Sequence, residues 1–255
     1  MTLFDSILLF AAALAAGVLN SVAGGGSFFS FPALIFSGVP AIHANATNTV
    51  AIWPGTVASA TAYRKRVPRN AIILVPLILA SLAGGFFGAH LLIHTPQRTF
   101  LRLIPFLFLG ATFLFAFGKK LVRGSARPDQ RSHPSWLALG GVTLVQFFIA
   151  VYGGYFGGGM GILILSLLAF LPLPDIHATN GIKALLTSAA NGAAIVTFIT
   201  ARLVLWPQAV IMLVAAALGG YGGAHFAQKF NPSRVRALVI CVGFTMSIYF
   251  LYRYH

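Results

Sequence analysis

Long apolar stretches without charge alternate with short polar loops along the whole chain. Four of these stretches, residues 6–63, 71–97, 132–174 and 203–228, contain no Asp, Glu, Lys or Arg. Uncharged apolar runs of roughly 18 residues or more are typical of transmembrane helices. The pattern therefore predicts an all-α integral membrane protein.

Loop residues divide these stretches into ten helical segments, five in each half of the chain. The predicted segments are 6–22, 27–38, 44–62, 71–93, 99–118, 135–152, 160–172, 178–200, 205–227 and 235–252. The second and seventh are too short to cross a hydrocarbon core of about 30 Å, and each follows a glycine cluster. We expect each to be a broken or re-entrant helix that is buried in protein or faces water.

The two halves carry the same features in the same order. The matched groups are Gly24-Gly25 with Gly158-Gly159, Pro40 with Pro174, Ile42-His43-Ala44 with Ile176-His177-Ala178, Ala46-Thr47-Asn48 with Ala178-Thr179-Asn180, and 84–90 with 219–225. A match over this period indicates an internal duplication. We predict a first transmembrane repeat over 1–118, a basic cytoplasmic linker over 119–134 and a second repeat over 135–255.

An odd number of segments in each repeat predicts that the two copies lie in opposite orientations. Basic residues fall unequally on the two sides of the predicted spans. Twelve lie on one side: Arg64, Lys65, Arg66, Arg69, Lys119, Lys120, Arg123, Arg127, Arg131, Lys229, Arg234 and Arg236. Four lie on the other: Arg98, Arg102, Arg202 and Arg253. The excess marks the cytoplasmic side, so both termini are predicted to be periplasmic.

Composition excludes several other classes of protein. The net charge of +14 resides in loops between apolar spans, so it does not indicate a nucleic-acid partner. The single cysteine, Cys241, can form no intrachain disulfide. Three acidic residues in all, and the absence of nucleotide-binding and hydrolase motifs, argue against an enzyme. We expect no cofactor.

Candidate ligand-binding residues surround the two short segments. A glycine turn before a helix directs free N–H groups at an anion, although small residues also permit close helix packing in membranes. The segments that follow add amide, hydroxyl and ammonium groups. The predicted site comprises Gly24, Gly25, Gly26, Ser27, Asn45, Thr47, Asn48, Gly158, Gly159, Gly161, Thr179, Asn180 and Lys183.

Lys183 is the only charged residue well inside a predicted span. It shares a helical face with Thr179 and Asn180. Such a residue usually faces a polar cavity or a partner, which makes Lys183 a candidate anion-binding residue. The alternatives are an ion pair with Asp175 or extension of the side chain to a nearby surface.

His43 and His177 match between the halves, as do His90 and His225. Matched histidines can carry protons, gate a path or bind metal. At helix ends they more often bond to backbone. No Cys, Asp or Glu joins them at ligand spacing, so we predict no metal site.

The glycine and PxIHATN motifs resemble the TauE/SafE sulfite exporter family, also called the 4-toluene sulfonate uptake permease family. The resemblance covers nearly the whole chain and lies in AGGGS (23–27), FPAL (31–34), GVP…ATN (38–48), YFGGGMG (155–161) and PDIHATNGIK (174–183). It implies a secondary transporter of small sulfur-containing anions, such as sulfite or organosulfonates, in the bacterial inner membrane. The family pattern also implies an acidic residue in the first span, where this chain has Asn20.

Taken together, these features favour export by alternating access, with the anion bound between the repeats. A membrane potential that is negative inside expels anions without a coupling ion. An anion channel on the same scaffold, or a cation or metal transporter that uses His43 and His177, are the alternatives. The expected partners are a small anionic substrate and the lipid bilayer, with the protein as a monomer or homodimer.

Overall fold

The computed structural model of the protein describes residues 1–22, 25–68, 70–124, 136–171, 176–226 and 232–254. Within these ranges all the regular elements are helices. They are α1 (Leu3–Val22), α2 (Ser27–Phe36), α3 (Ala41–Tyr63), α4 (Ala71–Ile93), α5 (Gln97–Gly124), α6 (Trp136–Tyr155), α7 (Met160–Leu168), α8 (Ile176–Thr200), α9 (Trp206–Phe226) and α10 (Pro232–Tyr254). Each predicted segment coincides with one helix, which confirms the all-α fold class.

The predicted linker is partly helical. Helix α5 continues to Gly124, so residues 119–124 extend it beyond the apolar stretch. The remainder of the predicted linker lies outside the described residues.

Two helices are too short to cross a membrane, as predicted. Helix α2 has 10 residues and α7 has 9, so they are about 15 Å and 14 Å long. Gly25, with φ +87°, precedes α2, and its matched residue Gly159, with φ +77°, precedes α7. Left-handed backbone of this kind favours glycine, so the same glycine turn starts the short helix in each half.

Five helices of the described chain are long and apolar enough to cross a membrane. The corresponding stretches are Leu3–Asn20, Ala71–Ile93, Gln97–Phe117, His177–Thr200 and Ala237–Tyr254. Many large apolar side chains lie on the protein surface, among them Leu79, Phe87, Phe113 and Phe148. Extended apolar surface of this kind suits contact with lipid, so the architecture is that of a multi-pass membrane protein.

Helices from the two halves of the chain pack against each other. Helix α1 packs on α9, α4 on α6, α3 on α8 and α5 on α10. When the halves are exchanged, the α1–α9 contact corresponds to α6–α4, while α3–α8 and α5–α10 each correspond to themselves. The centre of the protein is therefore the interface between the halves.

The matched helices α3 and α8 run antiparallel. Near the start of α3, Thr47 Oγ1 accepts a hydrogen bond of 3.0 Å from the backbone N–H of Leu205, which follows the end of α8. Near the end of α3, the Tyr63 ring stacks on His177 in the first turn of α8, with ring centroids 6.2 Å apart. The antiparallel course of this one pair agrees with an inversion of the repeats, which stays a prediction.

The glycine motif over residues 84–90, and its match over 219–225, bring helices into backbone contact. A Cβ atom added to Gly85 would overlap the carbonyl oxygen of Ala190 in α8. One added to Gly219, in the matching motif, would overlap the carbonyl oxygen of Leu14 in α1. Small residues of this kind allow membrane helices to pack closely, so this motif is structural.

We expect Gly85→Ala to lower the free energy of unfolding by about 1–3 kcal/mol, because the added methyl group would push α4 away from α8. The matched control is Gly110→Ala in α5, where an added Cβ meets nothing within 4 Å. That change should be neutral or slightly stabilising, because alanine is the better helix former. Thermal unfolding in detergent measures both, and equal melting temperatures would contradict the packing role.

Candidate functional site

A small cavity lies where the start of α2 meets α3, α5 and the turn before α7. Its lining comprises Ser27, Phe28, Phe31, Asn45, Asn48, Phe108, Phe156 and Gly158. Both halves of the chain contribute to this lining. Its volume is about 10 Å³, which is close to the space one water needs. A larger ligand can therefore enter only when the surrounding helices move apart.

The N-terminal end of α2 forms one polar wall of the cavity. Ser27 opens the helix, and no side chain of the described residues caps its start. The backbone N–H of Gly26 donates a 2.8 Å hydrogen bond to Asn20 Oδ1, which ties the turn to α1. A helix N-terminus carries roughly half a positive charge, so this wall favours an anion. Asn20 therefore positions α2, a role that the sequence did not indicate.

Asn45 and Asn48 form a second polar wall. They are three residues apart and so lie side by side on one face of α3. Both are almost fully buried, with 2% and 3% of their surface exposed. Asn45 Nδ2 donates a 3.3 Å hydrogen bond to the carbonyl oxygen of Tyr155 and so links α3 to α6. Asn48 Oδ1 has no hydrogen-bond partner among the described residues. An unpaired buried polar atom costs about 1–3 kcal/mol, so Asn48 retains bonding capacity at a cost in stability.

The turn between α6 and α7 closes the cavity from the second half. The Tyr152 hydroxyl donates a 2.6 Å hydrogen bond to the carbonyl oxygen of Gly158. A Cβ added to Gly159 would lie 3.4 Å from Ala111 of α5. These contacts hold the glycine backbone at the edge of the cavity.

Four phenylalanine rings form the apolar walls, and Phe108 stands at their centre. Its ring centroid lies 5.5 Å from Phe28, 5.8 Å from Phe31 and 5.4 Å from Phe156. Sequence reasoning missed these rings because it considered only polar groups. One usable signal was that Phe31 follows Ser27 by four residues, so the two share a face of the short helix.

The structure gathers only part of the predicted site. Ser27, Asn45, Asn48 and Gly158 line the cavity. Gly25, Gly26 and Gly159 belong to the adjoining turns, and Gly24 lies outside the described residues. Thr47 is fully buried and bonds the loop after α8.

The remaining predicted residues, Gly161, Thr179, Asn180 and Lys183, do not line the cavity. The Lys183 side chain lies beside α7, since a Cβ added to Gly161 would be 3.5 Å from Lys183 Cδ. Its possible partner Asp175 lies outside the described residues.

The two matched histidines lie far apart. His43 is in the first turn of α3, and His177 stacks on Tyr63 at the opposite end of that helix. Twenty residues of helix separate those ends, or about 30 Å. Within the described residues, no three His, Cys, Asp or Glu side chains form a group that could hold a metal ion. His43 and His177 therefore cannot bind one ion together in this conformation.

Known proteins show the same pattern along nearly the whole chain. The family described as "Sulfite exporter TauE/SafE" matches residues 9–250. A probable membrane transporter protein of Haemophilus influenzae is 26% identical, over 96% of this chain and 94% of its own length. The probable membrane transporter proteins ORF9 of Sinorhizobium sp. and YfcA of Escherichia coli K12 are 28% and 29% identical, over 94% and 97% of this chain and 90% of their own lengths. No solved structure matches the chain.

The apolar helices and these relatives define a multi-pass membrane transporter. Within that class, the chain belongs to the sulfite exporter TauE/SafE family, which confirms the resemblance drawn from its glycine and PxIHATN motifs.

Asn48 and Asn45 should respond differently to the same substitution. We expect Asn48→Leu to leave the melting temperature unchanged or raise it, because it removes a buried acceptor that has no partner. Asn45→Leu should lower stability by about 1–3 kcal/mol, because it leaves the Tyr155 carbonyl without its donor. Thermal unfolding of the purified proteins compares them. A fall for Asn48→Leu as large as that for Asn45→Leu would contradict this assignment.

Proposed function

We propose that the protein is a secondary transporter of small sulfur-containing anions, such as sulfite or organosulfonates, and that the anion binds in the cavity between the two halves. One observation carries the proposal. The hydroxyl of Ser27, the side-chain amides of Asn45 and Asn48 and the start of α2 converge on a buried space, and none of the described residues that line it carries a carboxylate. Membership of the sulfite exporter TauE/SafE family supports it.

The groups around the cavity suit an oxyanion. A serine hydroxyl and asparagine amides supply hydrogen-bond donors, and the helix dipole adds favourable charge. Phenylalanine rings carry positive partial charge at their edges and keep water out. Because the described residues of this lining hold no formal charge, attraction for an anion comes from hydrogen bonds and the helix dipole, and the anion is not trapped by an ion pair.

Alternating access accounts for the closed cavity. With room for about one water, the cavity admits an anion only when the halves move relative to each other. The antiparallel course of α3 and α8 supports two repeats with opposite orientations. In transporters built this way, the substrate binds at the repeat interface and the repeats rock around it.

Export follows from the membrane potential. Moving one charge through 100 mV changes its free energy by about 2.3 kcal/mol, which corresponds to about a fiftyfold concentration ratio. The sequence has only three acidic residues, which leaves little basis for a proton relay. We therefore propose export without a tightly coupled ion across a bacterial inner membrane, with both termini in the periplasm.

Binding and counterflow together test this proposal. Among sulfite, thiosulfate, sulfonates, sulfate, phosphate and divalent metals, we expect a sulfur-containing anion to raise the melting temperature of the purified protein. Proteoliposomes preloaded with that anion should take up its labelled form by counterflow. Ser27→Ala should raise the half-saturating concentration about fivefold, because it removes one donor. The control is Ser37→Ala, since the Ser37 hydroxyl bonds to Ala33 at the other end of α2.

Each alternative predicts a different result. A channel would conduct the anion without counterflow or saturation. A cation transporter would be stabilised by metals alone and would lose activity when His43 and His177 are replaced. Either result would overturn the proposed function.

A further inference from the structure

Lys183 lies in a different part of the α3–α8 pair from the cavity. Midway along the pair, Trp53 Nε1 donates a 3.0 Å hydrogen bond to the carbonyl oxygen of Ser188. Asn48 precedes Trp53 by five residues, and Lys183 precedes Ser188 by five. Because the helices are antiparallel, the two residues lie on opposite sides of this contact, about 15 Å apart along the helix axes. Lys183 is therefore displaced from Asn48 along the helix pair, and it is not among the residues that line the cavity.

Under the predicted duplication, the residues around Lys183 in the second half correspond to residues that line the cavity in the first half. Its stem runs beside Gly161, with Cδ 3.5 Å and Cγ 4.0 Å from the position of an added Cβ. The duplication matches Gly161 with Ser27, and Asn180 with Asn48. Lys183 therefore stands next to the start of α7, at the place that corresponds to the polar wall beside α2.

The two counterpart places differ in charge. The residue of the first half that matches Lys183 is Ala51, which is buried with 2% of its surface exposed. An ammonium in one half thus replaces a methyl group in the other. A charged group within a membrane-spanning helix usually marks a path for ions or substrate.

Lys183 also lies towards the basic end of α3. A Cβ added to Gly181 would lie 2.7 Å from Val67 and 3.0 Å from Tyr63, which places this part of α8 beside the loop that carries Arg64 and Lys65. These two residues border an open groove of about 580 Å³, together with Ala58, Thr61 and Ala62. Positive charge around such a groove raises the local concentration of anions.

We propose that Lys183 forms a second binding station for the transported anion, separate from the cavity, which receives the anion from the side of Arg64 and Lys65. This inference rests on the proposed anion transport. The ligand is a small oxyanion, held by a charge-assisted hydrogen bond from the ammonium group. The anion then passes to the uncharged cavity, from which it is released on the opposite side.

Transport kinetics measured separately from each side of the membrane test the second binding station. In oriented proteoliposomes, Lys183→Met should raise the half-saturating anion concentration about tenfold or more on the Arg64 side, because a hydrogen bond to a charged group is lost. On the opposite side the change should stay below about twofold, since the cavity is intact. An equal rise on both sides would show one shared site, and no rise on either side would remove Lys183 from the path. Both outcomes overturn the proposal.

Two further variants exclude indirect effects. Asp175→Asn should leave the kinetics on the Arg64 side nearly unchanged. If it reproduces the effect of Lys183→Met, then Lys183 acts through an ion pair and the proposal is wrong. Lys183→Arg keeps the charge and should retain most of the affinity, which a purely structural role for the methylene stem would not predict.

A labelling experiment separates this proposal from the proposed substrate. With Cys241→Ser as background, Lys183→Cys should react with an anionic methanethiosulfonate added on the Arg64 side, while Asn48→Cys should be protected from that side. This readout needs no transport, so an unlabelled Lys183→Cys protein overturns the second station whatever the substrate is. If labelling succeeds while sulfur-containing anions are not transported, only the proposed function fails.

Discussion

The cluster of buried polar side chains in the first half of α3 is the constraint on which the rest of the structure depends. Asn45, Thr47, Asn48 and Thr49 lie within two turns of α3, and all four are buried. In a membrane, such side chains must be enclosed by protein, because lipid offers them no hydrogen bonds. Helices α2, α5, α8 and α9 provide that enclosure, and the cavity lies within it.

Close packing of the outer helices makes the enclosure possible. At Gly17 and Gly219, α1 and α9 approach until their backbones touch, and Gly84 and Gly88 do the same between α4 and α6. Because lipid tails are as apolar as the helices, close packing rather than the hydrophobic effect holds membrane helices together. Glycine contacts of this kind occur in both halves of the chain, in the matched motifs that contain Gly84 and Gly219.

At the centre of the protein, some buried polar atoms have hydrogen-bond partners and others have none among the described residues. Asn45 and Thr47 each form a hydrogen bond to a neighbouring element and hold α3 in place. Asn48, three residues beyond Asn45 and just as buried, has an oxygen without a partner in the described structure. Around it, the rings of Phe28, Phe31, Phe108 and Phe156 limit the free space. Asn45 and Thr47 stabilise the fold through these hydrogen bonds, whereas Asn48 keeps an unpaired acceptor beside the cavity.

The sequence by itself determined the elements of this protein. The ten segments, the two short helices after glycine turns and the family could all be read from it, because apolar runs, glycine turns and family motifs are properties of neighbouring residues. Its errors at helix ends have the same origin. Charge marks where a span leaves the membrane, but Lys and Arg are good helix formers, so α5 continues to Gly124 beyond the predicted end at 118.

Only the tertiary structure decided which candidates meet. It brings Ser27 and Asn48 to the lining of one cavity, together with phenylalanines that the polar motifs did not indicate. It also places Lys183 beside Gly161 rather than in the cavity, and it separates His43 from His177. The matched motifs suggested one shared site because they look alike. Because α3 and α8 are antiparallel, the matched motifs lie at different positions along the helix axes. That pairing depends on side-chain packing between helices that are far apart in the chain.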